Sequence, residues 1–583
     1  MKKILLGIMA AGVLFSSCDD FLTRNPGNKI TPDDFFKNER EIELYANSFY
    51  ERQMPDTDIA EGEKMTDIVV ITTPVSYLTD GYSPTEAGGW QWSNLRNINY
   101  FINKVQESPV NADIKNKWIG VAKFWRAMFY FDKVSYFGGV PYYDTCLEPD
   151  DKEGLYKKRD SRAFVMEKVL EDLNNAIEYG STVKDESCTY VTKYVALAYK
   201  SRVCLYEGTY RKYHKELGLG DSEKWLREAV SAAEELMESG TYKLHNTGNP
   251  DTDYRSLFTA IDCAGVPAIA DEVIWAQVYD LSFRRWHDLT WKYNSGTYGQ
   301  RWSLNHTFVN TYLMADGSRF TEKEGYETAE FSEELQNRDR RLKQTIRYPG
   351  YKRSNGKIAL PDFAFTLNGY HMYKWSLDDE YFDSKKEATN AVPILRYAEV
   401  LLNYAEAKAE LGEMTPIVWN KTIKALRERA GVKGTEPTEA DQYLIDNFYP
   451  DINDKHLLEI RRERACELVG ENLREDDLMR WKRGELTTME WRGIYVPELN
   501  KAQDLDGDGK NDICFYKGSK PSISGVKFVA LNESFTLTDG DHGNLIWAKG
   551  AERSWHDYKY LHPIPRNVRV LNPDLEQNPG WGE

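Results

Sequence analysis

His456–Trp481, HLLEIRRERACELVGENLREDDLMRW, reads as two helices in succession. Leu458, Arg461, Ala465, Leu468 and Val469 recur at helical spacing on one face of the first, while Glu459, Arg462, Glu463 and Glu471 project elsewhere. Gly470 and Asn472 interrupt it, and Leu473, Asp477, Leu478 and Trp481 then repeat at three- and four-residue steps beside Arg474 and Arg480. Several charges fall close to the apolar face. Periodicity alone reads them as a solvated helix pair with surface ion pairs, each contributing ~0–1 kcal/mol.

The same periodicity predicts helices on either side. Thr31-Pro32-Asp33-Asp34 opens one that runs to about Tyr50, with Thr as N-cap and Pro in the first turn. Others are predicted at about 93–107, 113–137, 160–179, 192–207, 221–239, 396–412, 416–430 and 454–484. Tyr194, Leu197, Ala198, Ser201 and Leu205 form a stripe closed by Gly208, and Tyr397, Leu401, Ala405 and Leu411 repeat the plan. Phe124–Gly138, FWRAMFYFDKVSYFG, carries an aromatic version. Small residues at Ala127, Ala198, Ser201 and Ala405 allow the close approach that helix-pair repeats of the tetratricopeptide type need. The full repeat consensus is absent, so a non-repetitive helical bundle is the alternative. At about 246–391 and 487–560 periodicity breaks and Gly, Pro, Asn and Asp become frequent, predicting loops with short strands. The expectation is a mainly α fold whose helical scaffold comes from both ends of the chain and carries an irregular second lobe.

At 583 residues the chain exceeds the usual single-domain size. Its 75 basic and 92 acidic residues leave a net charge of −17, which argues against a nucleic-acid or anionic-lipid partner. Sixteen Trp and 37 Tyr are more rings than a dry core absorbs, so some are expected on a binding surface. Cysteines at 18, 146, 188, 204, 263, 466 and 514 show neither a CxxC nor zinc-site spacing. Lys2 and Lys3 precede an apolar run from Ile4 to Phe15 and then Ser16-Ser17-Cys18, a secretion signal too short for the ~20 residues of a membrane span.

Leu14-Phe15-Ser16-Ser17-Cys18 resembles a bacterial lipobox, in which the Cys thiol is acylated and becomes the new N-terminus; an ordinary cleaved signal is the alternative. Four features together resemble the SusD/RagB family of nutrient-uptake outer-membrane lipoproteins. They are Cys18-Asp19-Asp20-Phe21-Leu22; the order Glu467, Leu468, Glu471, Arg474, Asp477, Leu478, Arg480, Trp481; Tyr560-Leu561-His562-Pro563-Ile564-Pro565; and Leu571-Asn572-Pro573 to Gln577-Asn578-Pro579-Gly580-Trp581. The chain departs from that family at Asn472, where it usually has Gly, and at Glu475 and Asp476, where it has aromatics. The resemblance implies a signal at 1–17, helical parts at 18–245 and 396–486, a ligand-binding lobe at 246–395, and an insert with a tail at 487–583. It also implies lipid anchoring to the outer membrane through Cys18, and delivery of a captured oligosaccharide to a SusC-like TonB-dependent transporter.

Asp504-Leu505-Asp506-Gly507-Asp508-Gly509-Lys510-Asn511-Asp512 has calcium-loop spacing. Asp504, Asp506, Asp508, Asp512 and the Lys510 carbonyl are its candidate ligands for a structural Ca²⁺, against a solvated acidic turn. Phe515 stands where an EF-hand has Glu. Aromatics crowd two places: Trp90 and Trp92 with Asn94, and Trp286, Trp291, Tyr298 and Trp302 with Arg301. Sugar C–H faces stack on such rings while Asn and Arg take hydroxyls; packing in the lobe's own core is the competing reading. Trp275, within Val273-Ile274-Trp275-Ala276, reads as core. No G-x-S-x-G, H-E-x-x-H or P-loop is present, no carboxylate spacing singles out an acid/base pair, and no catalytic residue or catalytic cofactor is expected. A glycan-binding lipoprotein is the first reading. A RagB-like oligopeptide-binding protein, a secreted glycosidase and a plain tetratricopeptide adaptor are its rivals.

Overall fold

Residues 35–61, 63–296 and 299–582 are described by a computed structural model of the chain; Cys18, Thr31–Asp34 and Tyr298 lie outside them. Helical periodicity in the first part becomes α1 (Glu39–Gln53), α2 (Ser93–Glu107), α3 (Ala112–Phe137), α4 (Arg162–Tyr179), α5 (Lys193–Tyr213) and α6 (Ser222–Glu238). Asn38, Asn111, Ser161 and Thr192 start four of them, each side chain accepting a first-turn N–H. Successive helices pack as neighbours, α2 on α3, α3 on α4, α4 on α5 and α5 on α6. From the far end of the chain, α7 (Tyr397–Glu410) lies on α5 and α6, and α10 (Lys455–Leu468) lies on α7. The scaffold is thus helical and built from both ends of the chain.

Three helical expectations need correction. The helix expected to open at Thr31 begins only at Glu39, after bends at 35–38, with Asn38 as its N-cap accepting the Glu41 N–H at 3.1 Å. Gly208 does not close α5, which continues to Tyr213: Leu226 of α6 presses on Gly208, and a Cβ there would stand 2.9 Å from Leu226 Cγ. Its role is close helix approach rather than termination. The segment 416–430 is two helices, α8 (Pro416–Lys421) and α9 (Ile423–Arg429), broken at Thr422, where ψ is −90° and the hydroxyl donates to the Val418 carbonyl at 2.7 Å.

The irregular segments contribute short strands. β1 (Val69–Val70) pairs with β3 (Ser303–Leu304), and β2 (Val273–Gln277) with β4 (Val392–Arg396), both antiparallel. Trp275 in β2 is fully buried and its indole donates to the Thr189 carbonyl. Near the C-terminus β5 (Arg492–Val496), β10 (Gly543–Ile546) and β9 (Thr536–Leu537) form one sheet, and β6 (Ala502–Gln503), β7 (Ile513–Tyr516) and β8 (Lys527–Ala530) another.

The charges of 456–481 are not solvated. α10 and α11 (Arg474–Arg480) are buried along most of their length, with Glu475 and Asp476 partly exposed, and most of their acids and bases meet inside the protein. Arg396 at the end of β4 reaches Glu272 at 2.6 Å, Glu467 at 3.0 Å and Glu471 at 2.7 Å; Lys374 shares Glu471, and Arg341 shares Glu467. On α11, Arg474 forks onto Asp67, while Arg480 bridges Asp477 and Glu406. Arg461 lies 4.3 Å over the Trp481 ring, whose N–H donates to Glu406 at 2.7 Å. Burial of so many ions costs desolvation that only multiple, well-oriented partners offset. What they join are the N-terminal turn at Asp67, the strands β2 and β4, and both C-terminal helices, so the surface-pair reading gives way to a buried connector.

Candidate ligand-binding site

The first turn of α2 presents the aromatic pair. Trp90 and Trp92 meet edge to face at 5.4 Å; Trp90 rests on Phe137 at 4.9 Å, and Trp92 on Phe129 at 5.5 Å and Tyr143 at 5.9 Å. The aromatic stripe of α3 therefore fixes both rings, which stay half-buried and border a cavity of about 540 Å³. Leu95, Tyr143, Leu147 and Tyr156 wall it, and Leu571 closes it from α12 (Arg566–Leu571). Arg96 donates to the Leu147 carbonyl, and Asn99 donates to the carbonyls of Tyr143 and Thr145, so the facing loop is tied back to α2. Burial pushes the Tyr143 hydroxyl up to about 12, keeping it a neutral donor, here to the Gly154 carbonyl. Rigid rings around an apolar space suit the flat face of a ligand.

Asn94 does not face that cavity. It lines a polar recess of about 240 Å³ on the other side of Ser93, together with Arg52, Gln53, Gln91, Asp132 and Lys133. Its amide donates to the Arg52 carbonyl at 3.2 Å. Asp132 is exposed at the rim of this recess. Lys133 donates to the Gly89 carbonyl and so anchors the loop that carries Trp90.

Among the described residues, Trp286, Trp291 and Trp302 of the irregular lobe line neither space. Trp302 is 4% exposed and packs edge-on against Tyr293 at 4.8 Å, a core position that leaves no face for a ligand. Trp291 is half-buried with Lys386 Nζ 3.9 Å from its ring, and Trp286 is exposed beside Phe283 and Leu281. Arg301 donates to the carbonyls of Phe363 and Thr366, and its guanidinium lies 5.5 Å from the Trp547 ring. Trp547 in turn donates to the Thr72 carbonyl at 3.2 Å and borders another hollow of about 370 Å³ with Phe535 and Lys549. This Trp is absent from the sequence-derived set because it sits alone among Gly, Asp and Lys; its partners Thr72 and Arg301 are hundreds of residues away.

In the acidic loop, carboxylate oxygens of Asp504, Asp506 and Asp512 lie within 4.8 Å of one another. Gly507 and Gly509, both at positive φ, donate their N–H groups to Asp504. Asp508 stands outside this triad and pairs with Lys510 at 2.8 Å. Burial raises the Asp512 carboxyl, and the charges of Asp506, Asp504 and Asp508 add to that.

Residues 271–581 match the model of the SusD family, and residues 45–205 match a model described as starch-binding, associating with the outer membrane. SusD-like proteins P38 and P25 of Formosa agariphila are 25% and 24% identical over 533 and 524 residues, covering 81% and 82% of this chain and 90% of each relative. Among solved structures, a SusD-like protein of Bacteroides fragilis superposes with a TM-score of 0.70 at 22% identity, covering 96% of this chain and all of that one. A SusD-like carbohydrate-binding protein of the same species gives 0.66 at 20% identity, covering 93% and 100%. At these identities the superpositions establish a shared fold.

Proposed function

Starting from the fact that the chain belongs to the SusD family, we propose that it is a carbohydrate-binding protein of the outer membrane that captures an oligosaccharide and passes it to a SusC-like TonB-dependent transporter. The observation that carries this reading is the cavity at Trp90 and Trp92, whose rings are pinned by α3, with Asn94 two residues beyond Trp92 in the neighbouring recess. Preformed aromatic walls take the C–H face of a sugar at little entropic cost. A glycan array with the mature protein, followed by chromatography of the incubated oligosaccharides, is the test. Binding without cleavage is expected. Cleavage would make the protein a glycosidase, and binding of peptides but no glycan would favour oligopeptide uptake.

Two accessory features complete the reading. Cys18 is the acylated first residue of the mature protein, an anchor that supplies ~0.8 kcal/mol per buried CH₂; among the described residues no helix is long and apolar enough to cross a membrane. Mass spectrometry of the wild type should find acyl groups that Cys18→Ala lacks. Asp504, Asp506 and Asp512 hold one structural Ca²⁺ with the Lys510 carbonyl, Asp508 joining if its pair with Lys510 opens. Saturating calcium at a hundredfold excess over Kd should add about 2.7 kcal/mol of stability, reversed by chelation; an unchanged Tm would refute the site.

A further inference from the structure

A space of about 60 Å³ lies where α11 meets Tyr136 at the end of α3, Tyr206 of α5 and the segment Lys559–His562. At roughly 10–15 Å³ for each water-sized body, it holds a few such bodies and no sugar ring. Glu475 and Asp476 of α11 border it, half-buried, and among the described residues neither carboxylate has a hydrogen bond or an ion pair. They are the two positions at which α11 departs from the SusD pattern. The bases around them are committed elsewhere: Arg202 to Glu399, Arg464 to Asp477, Arg480 to Glu406 and Asp477, and Lys559 to the carbonyls of Thr79 and Ser554. Glu63 acts on Glu475 as a further like charge. Tyr206 borders the same space. It is 3% exposed, yet its hydroxyl makes no hydrogen bond among the described residues, whereas buried hydroxyls ordinarily find one. Burial holds that hydroxyl well above its ordinary range, and Asp476 is the charge that adds most to this, so hydroxyl and carboxylate share the space.

The rings here are stacked on one another. His562 lies against Tyr136 at 3.5 Å and against Tyr77 at 4.1 Å, and Tyr206 runs parallel to Tyr210 at 5.9 Å. An organic ammonium needs ring faces, and these are taken up. What the space offers instead is oxygen, the ligand of a hard divalent cation. We propose that Glu475, Asp476 and the Tyr206 hydroxyl hold one divalent cation of the Mg²⁺ class, its remaining positions filled by water, as is usual for an ion bound through one or two carboxylates. The ion offsets like charge that no neighbouring side chain offsets, and it fastens α11, part of the buried connector, to α5 beside the C-terminal segment. The site is separate from the acidic loop at Asp504–Asp512 and independent of carbohydrate binding.

The test follows uptake of Mn²⁺, which suits the same carboxylate and water ligands, through the electron paramagnetic resonance signal of the free ion. It uses the mature chain carrying Asp504→Asn and Asp506→Asn, so that the acidic loop does not contribute. One Mn²⁺ per chain is expected, displaced by Mg²⁺ and lost when Glu475→Gln and Asp476→Asn are added. Mg²⁺ should raise the Tm of the first protein and leave that of the second unchanged. Tyr206→Phe in place of the double exchange should weaken uptake about tenfold, as for a group that orients metal ligands. No uptake by the first protein, or equal uptake after Glu475→Gln and Asp476→Asn, overturns the site. Should that double exchange fail to fold, Tyr206→Phe decides alone, unchanged uptake overturning the site.

Discussion

Trp302 fills space against Tyr293 with 4% of its surface exposed, so truncating it leaves a void rather than an empty platform. Trp302→Ala is expected to cost ~3–5 kcal/mol, seen as a lower urea midpoint at unchanged slope, with oligosaccharide affinity preserved in the folded fraction. A variant with the wild-type midpoint and weakened affinity would place Trp302 in the site instead. Residue type and spacing flagged Trp302 and Trp90 alike, because both stand among aromatics and polar residues in aperiodic sequence. The difference lies in what each packs against, Tyr293 within the lobe or Phe137 at a surface, and local sequence carries no record of that partner. The same limit hid Trp547, and it explains how Glu459, Arg462 and Glu463 read as surface charges: their partners Arg427, Asp441 and Arg341 are on other elements.

Helix existence followed from periodicity wherever the apolar stripe was long, and α2 and α3 start and end within a residue of the expected bounds. Termini failed where tertiary contact overrode a local signal. Gly208 is the clearest case: an isolated Gly signals a helix end, yet the pressure of Leu226 requires it inside α5. Helix propensity alone would make Gly208→Ala stabilising by ~1 kcal/mol. Contact should win, since the added methyl would meet Leu226 Cγ at 2.9 Å and the Leu226 backbone nitrogen at 3.0 Å, and overpacking costs ~1–3 kcal/mol. A lower thermal midpoint is therefore expected for Gly208→Ala; a raised one would mean that α6 can slide away from α5.

At the scale of the whole chain, the buried charges tie the two ends together and give stability a pH dependence with two opposed arms. Arg480 beside Glu406 holds that carboxyl down at about 2, from an ordinary 4.5, so its contribution is present above 4.5 and is lost as pH falls toward 2. Burial raises Glu63 and Glu475 to about 8, Glu334 to about 7 and Asp476 to about 6. These groups keep protons that the unfolded chain has released, so their penalty grows as pH rises from about 4 to 8. Burial also holds His214 and His287 down at about 4 and His306 and His562 at about 3, and these neutral rings take stability away as pH falls below about 6.5, so thermal stability should peak near pH ~6 and decline on both sides; a peak at pH 8 or above would show that Glu63 and Glu475 are compensated. The helical frame with its irregular lobe was legible because many weak stripes agreed, whereas the site required knowing that α12 and the loop before α2 close over one space.

That space is where carbohydrate recognition has to be demonstrated, and Trp92 is the ring that touches α3, Tyr143 and the opening together. Calorimetric titration of wild type and Trp92→Ala with the best oligosaccharide from the array, alongside their melting curves, decides the matter. Truncating a buried aromatic anchor typically removes ~2 kcal/mol of binding, a loss of about thirtyfold, and the expected result is that loss with a nearly unchanged Tm. Equal affinities for the two proteins would contradict carbohydrate binding at the Trp90–Trp92 cavity.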